Sequence, residues 1–248
     1  MPRTTKKTSL PPSTTQSVRV AESDEGSVTR RTGGRRARSP EEKAAVRQAL
    51  IEAGRRAFAT QDYAKVSLRG IAAEAGYTPA VVYHYFSDRQ ALFIAVRESD
   101  LADAIGEIAA VTQRESAPEV RLRKLLLAML RHWRAHFEQY EILFSGSRRQ
   151  GELPKLADGT PFGRSEVAVR AYQQYQTAVR DFFDTLPRYP VPLKLATDSL
   201  VVAIHGAVAV PIHLGSMKWT PGDKLAAAIA DTFIAAWTVA ASQPDPAS

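Results

Sequence analysis

Apolar residues in this chain recur at steps of three and four, and that spacing predicts helices nearly throughout. The first covers about 40–60. Ala45, Ala49, Ala53 and Ala57, with Val46, Leu50 and Phe58, make one stripe. Ser39-Pro40-Glu41-Glu42 reads as a capping box with Pro in the first helical position. Leu68, Ile71, Ala72 and Ala75 continue the spacing until Gly76 stops it. Ser67 stands where it can cap that short helix. Thr78 and Pro79 then open another, with Val81, Val82 and Tyr85 as its packing face and about 78–84 as its extent. Asp88 can cap a fourth helix running through Leu92, Ala95, Val96, Ser99, Ala102 and Ile105. Five more are predicted near 118–137, 138–144, 163–186, 192–214 and 222–241. Gly and Pro mark 145–163 as a loop. No strand-like alternation occurs, so the expected fold is all-α: three short helices at the N-terminal end and a larger helical part after them.

The chain has 248 residues, enough for a sizeable core in one or two domains. It has no Cys, which excludes disulfides and thiolate metal sites and suits a cytoplasmic protein. The uncharged run 199–216 approaches membrane-span length, but it contains His205, Gly206, Pro211 and His213. It is expected to be a buried helix, with no membrane association. The net charge of +7 is uneven. Residues 1–39 hold nine Lys/Arg against three acids, 40–98 eight against seven, and 99–248 sixteen of each. Residues 1–39 are also too poor in large apolar side chains to fold alone, so a disordered basic tail is expected. Its Arg36 and Arg38, just before the first helix, are either solvated or an arm on DNA phosphates.

Catalytic chemistry is not evident. There is no nucleophile elbow and no Gly-rich phosphate loop. His132 and His136 share a helix face, but HWRAH lacks the metalloprotease Glu and no acid cluster sits nearby to complete a zinc site. The expectation is no enzyme, no cofactor and no metal.

Residues 67–92, SLRGIAAEAGYTPAVVYHYFSDRQAL, have the pattern of two short helices around a tight Gly turn: a helix-turn-helix. Phe58, Tyr63, Ser67, Leu68, Arg69, Ile71, Ala72, Ala75, Gly76, Thr78, Tyr83, Tyr85, Phe86, Arg89 and Leu92 fall where the TetR family of transcription regulators has its N-terminal pattern, so the chain resembles that family over 40–98. Asp62, Val66 and Gly70 depart from it, and Asp62 is expected to take a left-handed turn where relatives have Gly. The resemblance implies that Thr78, Pro79, Ala80, Tyr83 and His84 line DNA and that Ser67, Arg69 and Arg89 lie near phosphates. Between Tyr77 and His84 there is no Arg, Lys, Asn or Gln. Bidentate purine contacts are therefore absent, and specificity falls to Tyr77, Thr78 and His84, thymine-methyl contacts, Arg69 and DNA shape.

The resemblance further implies a homodimer through the last two helices, reading a palindromic operator in double-stranded DNA. Their apolar side includes Leu225, Ile229, Phe233, Ala236 and Ala240. It also implies a small-molecule effector bound within residues 99–242. Candidates for its pocket are Trp133, Phe137, Tyr140, Phe144, Tyr172, Tyr175 and His205, aromatics with polar tips that suit a mainly apolar ligand. The expected function is a ligand-released repressor with an N-terminal tail (1–39), a DNA reader (40–98) and a ligand-binding and dimerisation domain (99–242). The alternative is an architectural DNA binder without ligand response.

Overall fold

The computed structural model describes residues 39–114, 117–144 and 155–244. The basic tail, with Arg36 and Arg38, and most of the 145–163 loop lie outside the described residues. Within them the fold is all-α with nine helices: α1 Pro40–Thr60, α2 Leu68–Glu74, α3 Pro79–Tyr85, α4 Arg89–Thr112, α5 Pro118–Ala135, α6 Phe137–Phe144, α7 Glu166–Phe183, α8 Leu193–His213 and α9 Gly222–Ser242. Short 3-10 turns precede α2 and α7.

Local side chains set most of the helix starts. The Ser39 hydroxyl accepts from Glu42 N, and Ser39 N donates to the Glu42 carboxylate, which completes the capping box of α1. The Ser67 hydroxyl accepts from Gly70 N at 3.1 Å, Asp88 Oδ1 from Ala91 N at 2.8 Å and Ser165 Oγ from Ala168 N at 3.3 Å. Thr78 takes the N-cap position of α3, yet its side chain makes no capping bond. Asp62 has φ −59°, so the chain needs no left-handed residue there. Gly76 does take one, at φ +74°, and Tyr77 N then reaches back to Ala72 O at 2.8 Å.

Two buried clusters form. One gathers α1 to α3 and the first turns of α4: Leu50, Ile51, Phe58, Ile71, Val82, Phe86, Leu92 and Phe93 belong to it, joined by Ile142 of α6. Val66 is buried here, which explains why an apolar residue replaces a capping one. Gly54 lets α1 come close to α4, since a Cβ there would meet the Leu92 side chain at 3.2 Å. Ala45, expected in the stripe, is exposed; Ala49 is half-buried, and Ile51 and Gly54 are buried. Arg55 Nε binds Asp100 Oδ1 at 2.5 Å and ties α1 to α4. Burial pushes the Asp100 carboxyl up, while Arg55 pulls it down.

The second cluster packs α5 against α4, α7, α8 and α9, with Leu122, Leu126, Trp133, Val179, Phe183, Leu200 and Ile204 at its centre. The helix expected to be buried is only partly so. α8 and α9 are long and apolar enough to cross a membrane, with mean hydropathy 1.7 and 1.5, yet only 33% and 28% of their apolar windows are buried. Val202 is 72% exposed and Val239 60%. Leu225, Ile229 and Phe233, on the apolar side of α9, are half-buried and pack partly against the core.

Candidate functional site

The helix-turn-helix presents one face outward. In α3 only Val82 is buried. Thr78, Pro79, Ala80 and His84 are exposed, Tyr83 is 53% exposed, and Tyr77 is half-buried. Ser67 and Arg69 are exposed at the start of α2, and Arg69 forms no ion pair with any described residue. Arg89 differs from expectation. Its Nη1 donates to Ala64 O at 2.8 Å and Val66 O at 3.2 Å, and its guanidinium lies 4.3 Å from the Tyr63 ring centroid. It therefore holds the turn before α2 instead of facing outward. One helical turn on, Phe93 packs edge-on against Tyr63 and Phe58, with centroids 5.2 and 4.8 Å away. A further turn on, Arg97 stands 5.7 Å from Phe93. Positions 89, 93 and 97 thus form one row on α4, from the reader to the second cluster.

A cavity of about 600 Å³ opens among α4 to α8. It brings together Trp133, Phe144, Tyr172, Tyr175 and His205. Phe137 and Tyr140 do not line it. They stack on each other at 5.6 Å, and the Tyr140 hydroxyl donates to His205 O, so they brace α8 from behind. Burial lifts the Tyr140 phenol to about 12 and the Tyr175 phenol higher. Burial lowers His205 to about 4, so its ring is neutral. His205 Nε2 is 3.4 Å from the Tyr175 hydroxyl. The Tyr172 hydroxyl donates to Asp198 Oδ1 at 2.8 Å.

Sequence reasoning missed Arg97, Leu101, Met129 and Phe162 in the walls. A signal existed for the first: Arg97 ends the apolar run from Leu92 to Val96, on the same helical row as Phe93 and Leu101. Its guanidinium is buried, donates to Leu143 O and lies 3.9 Å from the Phe162 ring centroid. Burial lowers its pKa to about 10. Sequence reasoning also missed an acid beside the His132–His136 pair. α4 brings Glu107 to 2.7 Å from His132 Nδ1, and ligand atoms of these three residues lie within 4.8 Å of one another. Lys124 and Arg131 border the same cleft, and Arg131 is paired with Asp223.

Residues 50–96 match the model of a family described as bacterial regulatory proteins, tetR family. Over 85 residues the chain is 31% identical to the HTH-type transcriptional regulator BetI of Rhizobium meliloti (strain 1021), a match covering 34% of this chain. It spans 42% of BetI, less than half of that curated relative's length. Among solved structures, a protein of unknown function from Rhodococcus sp. RHA1 superposes with a TM-score of 0.65 at 20% identity, covering 81% of this chain and 100% of that one. The transcriptional regulator FadR from Bacillus subtilis, in complex with stearoyl-CoA, gives 0.59 at 10% identity, covering 75% and 97%. At these identities the likeness is one of fold. The match over residues 50–96 falls on the helix-turn-helix with this exposed face, so that segment is similar to the tetR family of bacterial regulatory proteins.

Proposed function

We propose that this protein is a cytoplasmic, sequence-specific DNA-binding transcription regulator: a homodimeric repressor released from a palindromic operator by a small organic ligand. Residues 40–98 form the reader, and 99–242 form the ligand-binding and dimerisation part. The observation that carries the reading is α4 itself. Its first turns belong to the reader core, while Arg97 and Leu101 line the cavity. α6 adds a second link, since Ile142 packs into the reader core and Leu143 and Phe144 line the cavity. A ligand that favours one placement of α4 and α6 over another shifts the separation of two readers in a dimer. The solved FadR complex with stearoyl-CoA supports an organic ligand for a chain of this fold.

In this reading Thr78, Pro79, Ala80, Tyr83 and His84 enter the major groove, with Tyr77 at its edge and Ser67 and Arg69 on phosphates. Arg89 positions α2 from within. The exposed apolar faces of α8 and α9 pair with a second copy, because apolar surface on this scale calls for a partner. The absence of Arg, Lys, Asn and Gln between Tyr77 and His84 favours a second reading, an architectural DNA binder.

Binding-site selection from a random duplex pool, with the full chain at physiological salt, separates the two. A recovered palindrome with fixed half-site spacing is the expected result, and ligands are then screened by release from it. Winners that share no sequence, before and after unfolding and refolding of the protein to strip any carried ligand, would replace the repressor with the architectural binder.

A further inference from the structure

Arg97 is 5% exposed and forms part of the cavity wall. A buried guanidinium ordinarily has a carboxylate or several acceptors, because an unpaired buried charge is costly. This one has a single carbonyl, that of Leu143, and two ring faces, Phe162 and Phe93. Its Nε and Nη1 are buried and have no partner among the described residues. Trp133 Nε1 and His205 Nδ1, in the same walls, are also buried without a partner among them. Among the described residues no Asp or Glu lines the cavity, and the other charged residue there is Arg164. The remaining surface is largely aliphatic and aromatic.

We propose that the cavity takes an organic anion, an apolar body whose carboxylate, sulfonate or phosphate head accepts from Arg97 Nε and Nη1. This rests on the reading of the cavity as a ligand site. The body lies among Leu101, Met129, Tyr175 and Val201, and Trp133 Nε1 is a further unpartnered donor in the same walls. The volume of about 600 Å³ falls within the range of about 300–1,000 Å³ usual for small-molecule sites. Because Arg97 also touches Phe93 and the Leu143 carbonyl, an anion that draws on its N–H groups competes with contacts leading to the reader core. A neutral ligand of the same shape does not.

A matched pair of fluorescent probes tests this with the full chain: 1-anilinonaphthalene-8-sulfonate and N-phenyl-1-naphthylamine, the same ring system without the anionic group. Both are expected to bind, and Ala171→Trp, which fills the cavity from its wall, is expected to abolish both signals. Arg97→Gln should weaken the sulfonate at least about tenfold, the scale of one charged hydrogen bond, and change the neutral probe by less than about twofold. Arg97→Met, which keeps volume and removes the charge, carries the same comparison if the Gln variant does not fold. Equal weakening of both probes, or of neither, would overturn the anion assignment while leaving the cavity as a ligand site. No binding of either probe, or signals untouched by Ala171→Trp, would remove the cavity reading and this inference with it.

Discussion

At the scale of single residues, charge and burial decide what each polar group can do. Arg55 pairs with Asp100 between α1 and α4, whereas Arg89 uses carbonyls and a ring, so two basic residues of the first cluster serve its fold and not its outer surface. Arg69, exposed on α2, is the basic residue that the proposed function sets on phosphates. His205 yields a pH prediction. Its ordinary pKa of 6.5 falls to about 4 in the folded chain through burial. The unfolded chain therefore binds a proton on this group from about pH 6.5 downward, and the folded chain only near pH 4. Stability from this group is complete above pH 6.5, is lost as pH falls towards 4, and changes no further below that. The loss approaches about 3 kcal/mol at 1.36 kcal/mol per unit. Urea titrations from pH 7 to 4 should show a shallower acid loss for His205→Gln than for the natural chain. Parallel profiles would mean that the ring is hydrated.

At the scale of elements, α8 and α9 each have an inner and an outer face. Leu200, Ile204, Ala226 and Ile234 pack inward, while Leu195, Val202 and Val239 remain exposed. Aspartate on the outer face should break a homodimer without touching the core. The expected result for the double variant Val202→Asp, Val239→Asp is a monomer in sedimentation with unchanged helix content. A dimer of undiminished affinity would move the interface off these helices. The periodicity of α9 was legible, but its inner and outer sides were not. Apolar residues surround much of this helix, and the helices the fold brings alongside it leave Leu225 and Phe233 half-buried while Ala226 and Ile234 are buried.

At the scale of the whole molecule, charge is concentrated at one end. Residues 1–39 hold nine Lys/Arg against three acids, while 99–248 are balanced. If the tail meets phosphates, deleting residues 1–38 should flatten the dependence of log K on log salt by about 0.9 for each phosphate that the tail neutralises. An unchanged slope would make the tail a bystander to DNA binding. The sequence by itself determined the all-α class, the start of nearly every helix and the helix-turn-helix. Those features rest on interactions within a few residues: caps, prolines, the left-handed Gly76 and three-to-four spacing. It also held the family pattern, because that pattern is local. Only the tertiary structure decided that Arg89 turns inward, that Phe137 and Tyr140 stand behind the cavity wall, that Glu107 meets His132, and that Arg97 is buried with donors to spare. Each of these depends on groups 25 or more residues apart brought together by helix packing. Spacing along one helix tells which side chains share a face, but not what the neighbouring helix places against them.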